Sequence, residues 1–446
     1  MASPHVFSRG GAERVRIDHG HGAQLVDVEG RSYLDAAGGA VVVGIGHGRT
    51  EVVEAAAAQA SRVAYVHGSS FSSEVLEEYA DTLAPLLPLD DPRIYPVSGG
   101  SEAVESALKM ARAYHLARGE DRDVVIGRQG SYHGNTRGAL SVSGRAGLRR
   151  PYLPWLTGFA HTSTPYEYRC PYPDTHPGGC AQRHAEALEQ QIQELGPGRV
   201  AAFIAEPISG AGLGACVPPD DYWPAIAEVC RRHGVLVIAD EVMTGFGRTG
   251  TWFASEHFGL RPDLLTAGKG TASGYWPLGL AVVSGPVHET LREGGFVHGF
   301  TYSHHVVGAA TGLAVLRVLE RERLVEASAR QGERLHAALR RELEGVPGIG
   351  DVRGRGLLQG VELVADPETR EPFEREERVI ERVLEACREH DVLVYPGNGC
   401  ADGRRGDLLL LGPPFVVTDG EVDRIAAGVA AGIRDVLGQG PVGAAG

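Results

Sequence analysis

The chain has 446 residues, 43% apolar and 22% charged, with a formal net charge of −14. That is too long for one core, and too acidic for nonspecific binding of nucleic acid or an anionic membrane. No run approaches the roughly 20 apolar residues of a membrane span. Met1–Gly10 lacks the apolar centre of a signal peptide, so a soluble cytoplasmic protein of two or three domains is expected.

In chain order, Gln24–Glu29 and Arg31–Leu34 read as a hairpin around Gly30. From about Pro92 to Gly285 short apolar runs alternate with amphipathic segments, the pattern of an α/β domain with a mainly parallel sheet. Strands are expected at Val124–Ile126, Val200–Ile204, Val235–Ala239, Leu264–Thr266 and Leu280–Val283. Helices are expected at Ser101–Ala117, Asp221–His233 and Val306–Arg321. Thr164–Arg183, rich in Tyr, Pro and Cys, reads as an inserted loop. The texture then changes to a charged helix (Arg321–Glu344), a strand (Gly356–Val364) and a second charged helix (Glu374–His390). The strand Val392–Tyr395 and a last helix, Gly420–Leu437, complete a smaller α/β unit. The expected division is a large domain over 76–324 and a small one from 1–75 with 325–446.

Lysine usage singles out one residue. Lys109 and Lys269 are the only lysines, the rest of the 43 basic side chains being arginine. A desolvated amine can lose its proton and form an imine with a carbonyl, which a guanidinium cannot do. Lys269 follows the apolar run Leu264–Ala267 between Gly268 and Gly270, a strand end open to a small molecule. Lys109 lies on an amphipathic helix, where pairing with Glu105 at i,i+4 suffices.

Two further signals accompany Lys269. Ser98-Gly99-Gly100-Ser101 opens a helix after a strand, and reads either as an ordinary cap or as a phosphate cup. Val235–Ala239 delivers Asp240 at a strand end, either as a structural turn residue or as a partner for a protonated ring nitrogen. Together, phosphate cup, ring-nitrogen carboxylate and imine lysine are the requirements of pyridoxal 5′-phosphate (PLP). The loose dinucleotide pattern Gly210-Ala211-Gly212-Leu213-Gly214-Ala215 carries little weight, because Pro218 and Pro219 block the helix it needs. Six cysteines form no CxxC pair; Cys170 and Cys180 could form a loop disulfide or a zinc corner, but without a matching second pair they read as plain thiols, and no metal is expected.

At this point the chain resembles the class III (ω-) aminotransferases of PLP fold type I, across roughly Asp27 to Val436. The motifs are SGGSEAVESALKMAR (98–112), SYHGNT (131–136), AEPISGAGLG (205–214), ADEVMTGFGRTG (239–250), GKGTASGYWPLG (268–279), HGFTYSHH (298–305) and RGRGLLQGVEL (353–363). The resemblance implies a large domain with a mainly parallel sheet, and a smaller α/β domain built from both termini. Its activity would be ping-pong transfer of an amino group from an amine or amino acid to a keto acid, pyruvate or 2-oxoglutarate. Lys269 would form the aldimine and then move the proton, and Asp240 would hold the ring nitrogen. Gly100 and Ser101 would bind phosphate, and Tyr132, beside His133, would cover the ring face opposite Val242. Glu206 would lie near the substrate or pair with a mobile arginine, and Thr301 would reach the phosphate of the partner in an obligate homodimer. Met243 stands where many relatives place a Gln that donates to the ring hydroxyl, so that contact is absent or supplied elsewhere. Ser303-His304-His305-Val306 also departs from the family pattern, with surface or packing roles expected for both histidines. Arg404 and Arg405, before Gly412-Pro413-Pro414, are the candidate carboxylate grips. Phe71, Tyr132, Trp155 and Trp276 are candidate pocket walls. The same motifs would also serve an aminomutase, a racemase or a phospholyase, since they fix the cofactor rather than the reaction.

Overall fold

The computed structural model describes residues 5–7, 14–172 and 179–438. Its centre is a seven-stranded sheet: β1 (Arg93–Val97), β2 (Val124–Arg128), β3 (Ala160–Thr162), β4 (Val200–Ala205), β5 (Leu236–Asp240), β6 (Leu264–Ala267) and β7 (Gly279–Val283). The spatial order is β1-β7-β6-β5-β4-β2-β3. Only β7 runs against its neighbours, pairing antiparallel with both β1 and β6. The C-terminal ends of β1, β2, β4, β5 and β6 therefore open on one edge, where ligands meet open α/β sheets.

The apolar runs are continuous because both faces of the sheet are covered. In β5, Leu236 and Ile238 pack with Val104, Ala107, Leu108 and Ala111 of helix α1 (Gly100–Ala117). The alternate residues Val237 and Ala239 face the other way, into a cluster with helices α2 (Gly179–Leu195) and α3 (Tyr222–His233). Each fully buried Val, Leu or Ile contributes about 1.5–3 kcal/mol, so the strand cannot slip by one residue without exchanging its two faces.

Two four-stranded sheets flank this centre. One joins Ile17–His21, Gln24–Asp27 and Ser32–Asp35 to Val392–Leu393, which runs parallel to Ser32–Asp35. The other is antiparallel: Ile349–Arg355, Leu358–Leu363, Asp407–Leu411 and Tyr395–Asn398. Helices Leu324–Glu342, Val379–Glu389 and Asp419–Leu437 pack here, and helix α4 (Val306–Arg321) covers Thr50–Arg62 and Glu74–Leu83.

Several expected elements differ. The strand over Val392–Tyr395 is two strands in different sheets; Pro396 has no N–H to donate, and its segment lies on a sheet edge. The helix over Arg321–Glu344 breaks at Arg323, which adopts a left-handed φ of 52°. Arg378, with φ of 53°, likewise delays the next helix to Val379. The stretch read as a loop over Thr164–Arg183 already contains the first turn of α2, while 173–178 lie outside the described residues. Of Met1–Gly10 only 5–7 are described. No helix among the described residues is long and apolar enough to cross a membrane.

Candidate active site

Asp240 ends β5 and Lys269 follows β6, so the sheet carries the two groups to the same edge. Backbone from the neighbouring turns completes a cavity of about 180 Å³. Gly100 and Ser101 line one side of it, with Tyr132, His133 and Gly134 on the loop after β2. Glu206, Val242 and Met243 line it as well, together with Asp240 and Lys269.

Gly99 begins α1 without a side-chain cap, so the N–H groups of the first turn face the cavity end uncapped. The glycines there are sterically required. A Cβ on Gly100 would stand 2.8 Å from Val242 Cγ1, and one on Gly279 would stand 2.5 Å from the Gly99 carbonyl carbon. Ser101 Oγ accepts from the Asn135 N–H at 3.2 Å, which ties the helix start to the loop carrying Tyr132 and His133.

The buried acidic end is built more tightly. His133 Nδ1 lies 2.6 Å from Asp240 Oδ2. The other oxygen, Oδ1, accepts from Thr266 Oγ1 at 3.0 Å and from the Val242 N–H at 3.1 Å. Glu206, after β4, is buried, and burial raises its carboxyl above the usual range, helped by the nearby Asp240 charge. Glu206 Oε2 and His133 Nε2 are buried without a hydrogen-bond partner among the described residues. The Glu206 carbonyl accepts from buried Arg128 at 2.5 Å, and Arg128 also donates to Ser209 Oγ at 3.0 Å.

Lys269 adopts a left-handed φ of 49°, and its Nζ donates to the Ala40 carbonyl at 3.0 Å. Burial pushes the amine down to about 8, against the upward pull of Asp240 and Glu206. An amine that is largely neutral only a little above physiological pH can act both as nucleophile and as base.

The fold and the residues at its edge are those of a PLP enzyme of fold type I. A family profile described as Aminotransferase class-III matches residues 7–431, and the chain belongs to that family. The chain is 37% identical to the putrescine–pyruvate aminotransferase of Pseudomonas aeruginosa, over 92% of this chain and 88% of that protein. It is 36% identical to the taurine–pyruvate aminotransferase of Rhodobacter capsulatus, over 94% and 91% of the two chains. The structure matches a PLP-bound amine transaminase from an uncultivated Pseudomonas species with a TM-score of 0.91. That match is 35% identical and covers 98% of this chain and 99% of the other. The protein is therefore a PLP-dependent aminotransferase.

The cavity fits the cofactor on its own terms. It offers an uncapped helix start with a hydroxyl for a phosphate, a buried carboxylate for a ring N–H, and an amine for an aldehyde. Every expected cofactor residue except Thr301 lines it. Thr301 is exposed, and its carbonyl accepts from the Tyr65 hydroxyl at 2.8 Å. Met243 packs its sulfur over Gly210, where a Cβ would meet it at 2.1 Å, so this position fills space where a Gln would donate.

The remaining expected residues lie outside the cavity. Phe71 and Trp155 are 64% and 71% exposed. Arg404 pairs with Glu376, and Arg405 with Asp402, Glu371 and Glu374, in the loop between Tyr395–Asn398 and Asp407–Leu411. His304 sets its ring edge against Tyr95, with centroids 4.7 Å apart. His305 caps α4 by accepting from the Gly308 N–H at 3.4 Å. The loop Gly210–Ala215 closes as a tight turn, in which a Cβ on Gly212 would stand 1.8 Å from the Gly130 carbonyl oxygen. Among the described residues no ion pair joins Lys109 to Glu105; Glu105 instead accepts from the Gly138 N–H at 2.6 Å, at the start of the helix Arg137–Val142. Thr266 and Arg128 were not legible as site residues. Thr266 reads as one more strand position, and Arg128 becomes meaningful only when its carbonyl partner is known.

Proposed function

We propose that this aminotransferase moves an amino group from an amine or ω-amino donor to pyruvate, in the cavity that gathers Lys269, Asp240 and the start of α1. The observation that carries the reading is this convergence: a buried amine whose pKa is pushed down to about 8, in one cavity with a carboxylate fixed by three hydrogen-bond partners. Two relatives whose names specify pyruvate as partner support the acceptor.

When bound, PLP supplies an electron-poor ring that stabilises negative charge on the substrate carbon. In our reading Asp240 keeps its carboxylate toward the ring nitrogen, with His133 and Thr266 preventing rotation. Lys269 would hold the cofactor through its amine and would serve as the base that carries a proton to and from the substrate carbon. Gly100 and Ser101 N–H groups and Ser101 Oγ would hold the phosphate; Val242 and Tyr132 would enclose the ring. Arg404, with one carboxylate partner and a largely exposed side chain, is freer than Arg405 to swing onto the carboxylate of the keto acid.

We also infer a homodimer in which Thr301 reaches the other subunit's phosphate. Val297 at 92% exposure and Tyr302 at 60% flank Thr301, and such exposed apolar residues suit an interface. The division into a large domain over 76–324 and a small one from both termini goes with this reading.

The test follows alanine formation from pyruvate with a panel of amines. Transfer with the wild type, a raised pyruvate KM in Arg404→Ala, and a smaller change in Arg405→Ala are expected. Alanine formation from no amine donor, or equal losses in both arginine variants, would count against the donor and the grip respectively. Light scattering showing a monomer that binds PLP fully would remove the role of Thr301.

A further inference from the structure

The aminotransferase reaction makes no use of the chemistry between β3 and α2. Cys170 follows the short turn Glu167–Arg169, while Cys180 and His184 lie at i and i+4 on α2 and so share one face. The two sulfurs, Cys170 Sγ and Cys180 Sγ, are 3.6 Å apart, and both cysteines are free thiols. A ring nitrogen of His184 and the two sulfurs all lie within 4.8 Å of one another. The sequence alone made these cysteines plain thiols for want of a second pair; the third donor is an imidazole one turn along the helix.

The spacing discriminates between fates. A disulfide needs sulfurs at about 2.05 Å. Two thiolates on a tetrahedral zinc, each about 2.3 Å from the metal, stand about 3.8 Å apart. The observed separation excludes the disulfide and is compatible with the second, as it is with two thiols in hydrogen-bond contact. The imidazole is also prepared. His184 is 1% exposed, and Nδ1 shares a 2.8 Å hydrogen bond with Ser163 Oγ. Its Nε2 is buried with no hydrogen-bond partner among the described residues. A ring anchored through one nitrogen with the other unspent is the arrangement that orients a metal-binding histidine. Tyr172 reinforces the anchor: its hydroxyl lies 3.0 Å from Ser163 Oγ, and its ring meets the imidazole edge-on at 5.0 Å. Two thiolates and an imidazole select zinc among common divalent ions.

We propose that Cys170, Cys180 and His184 bind a zinc ion, which staples the Cys170 loop to α2. Cys170 and Cys180 are only half-buried, and among the described residues no fourth protein ligand joins the three, which leaves a position that solvent can fill. The staple would sit behind the active site: the His184 ring contacts Tyr222, and the Tyr222 hydroxyl meets Arg128, which holds the Glu206 backbone.

The test uses the full chain loaded with PLP, free of any affinity tag, equilibrated with one equivalent of zinc chloride and then desalted. About one zinc per chain is expected by plasma emission, with at least a tenfold loss of zinc affinity in Cys170→Ser and in His184→Ala and unchanged PLP absorbance. Cobalt in place of zinc should show a thiolate charge-transfer band that Cys170→Ser weakens. If His184→Ala fails to fold, Cys170→Ser at its half-buried position carries the test, with PLP absorbance reporting its fold. Zinc-free wild type, zinc content unchanged in Cys170→Ser, or a chain two hydrogens lighter from a Cys170–Cys180 disulfide in protein kept anaerobic would each overturn the proposal.

Discussion

Asp240 and Glu241 are adjacent and equally buried, yet they serve two clusters with opposite accounts of their hydrogen bonds. Glu241 is spent. Its oxygens accept from the Ser255 N–H and Oγ, each at 2.7 Å, from the Ala254 N–H at 3.0 Å, and from Thr244 Oγ1. All four donors lie within fifteen residues, so the carboxylate closes its own loop. Arg248, a few residues on, is spent as well. It donates to the carbonyls of Leu357 at 3.0 Å, Pro413 at 2.7 Å and Val43 at 3.3 Å, with its guanidinium over the Phe415 ring. Around Asp240 the balance is different: among the described residues Glu206 Oε2 and His133 Nε2 have no partner, and the Lys269 amine has only one carbonyl. Burial perturbs both clusters, raising Glu241 and pushing Arg248 down to about 9. A perturbed charge therefore does not separate catalysis from architecture. Between these two clusters unspent hydrogen-bonding capacity does, because a buried polar group without a partner costs about 1–3 kcal/mol unless a ligand satisfies it.

The contrast can be broken by substitutions that leave one cluster intact. Lys269→Ala should lower aminotransfer by about 10⁴-fold, the upper end of the scale of a lost proton carrier, while the chain still unfolds cooperatively in urea. Asp240→Asn should cost about 10²–10³-fold, the scale of a lost electrostatic stabiliser, and weaken PLP retention on dialysis. Arg248→Met should do the reverse. It leaves the Leu357 and Pro413 carbonyls without their donor, which destabilises the chain by about 3 kcal/mol. The kcat of the folded fraction should hardly change. A stable Arg248→Met with kcat as low as that of Asp240→Asn would show that the two clusters are one machine.

The same distinction explains what the sequence disclosed. The sheet was legible because both faces of β4, β5 and β6 are buried, leaving uninterrupted apolar runs. Lys269 and Asp240 were legible because each ends such a run. Thr266 was not, since its Oγ1 bond to Asp240 depends on β5 and β6 lying side by side, with Asp240 opposite Thr266. The break at Arg323 was hidden for a similar reason. Arg49, from far upstream, binds Glu322 through both guanidinium nitrogens, at 2.8 and 2.7 Å, and fixes the turn there. His184 escaped notice because it reads as one polar position of an amphipathic helix until Cys170 is folded against it.

The smallest expected effect tests whether Lys269 is held under strain before any cofactor arrives. Its amine falls from 10.5 to about 8 on burial, so its folded value lies below its unfolded one. Between those two values the unfolded chain binds a proton that the folded chain does not, and stability from this group rises with pH across that window. Below about pH 8 the folded chain bears the full cost of a buried charge. In the cofactor-free protein Lys269→Met, which keeps the volume and drops the amine, should therefore be the more stable chain at pH 7. The gain should be about 1 kcal/mol, since the lost bond to Ala40 offsets part of the larger cost. Because the cost of the buried charge falls by about 1.4 kcal/mol per pH unit above 8, the advantage should vanish near pH 9 and reverse at higher pH, as read from urea midpoints of both chains. A gap that stays constant with pH would mean that the amine is solvated in the free chain. In that case Lys269 would belong with the satisfied charges of Glu241 and Arg248.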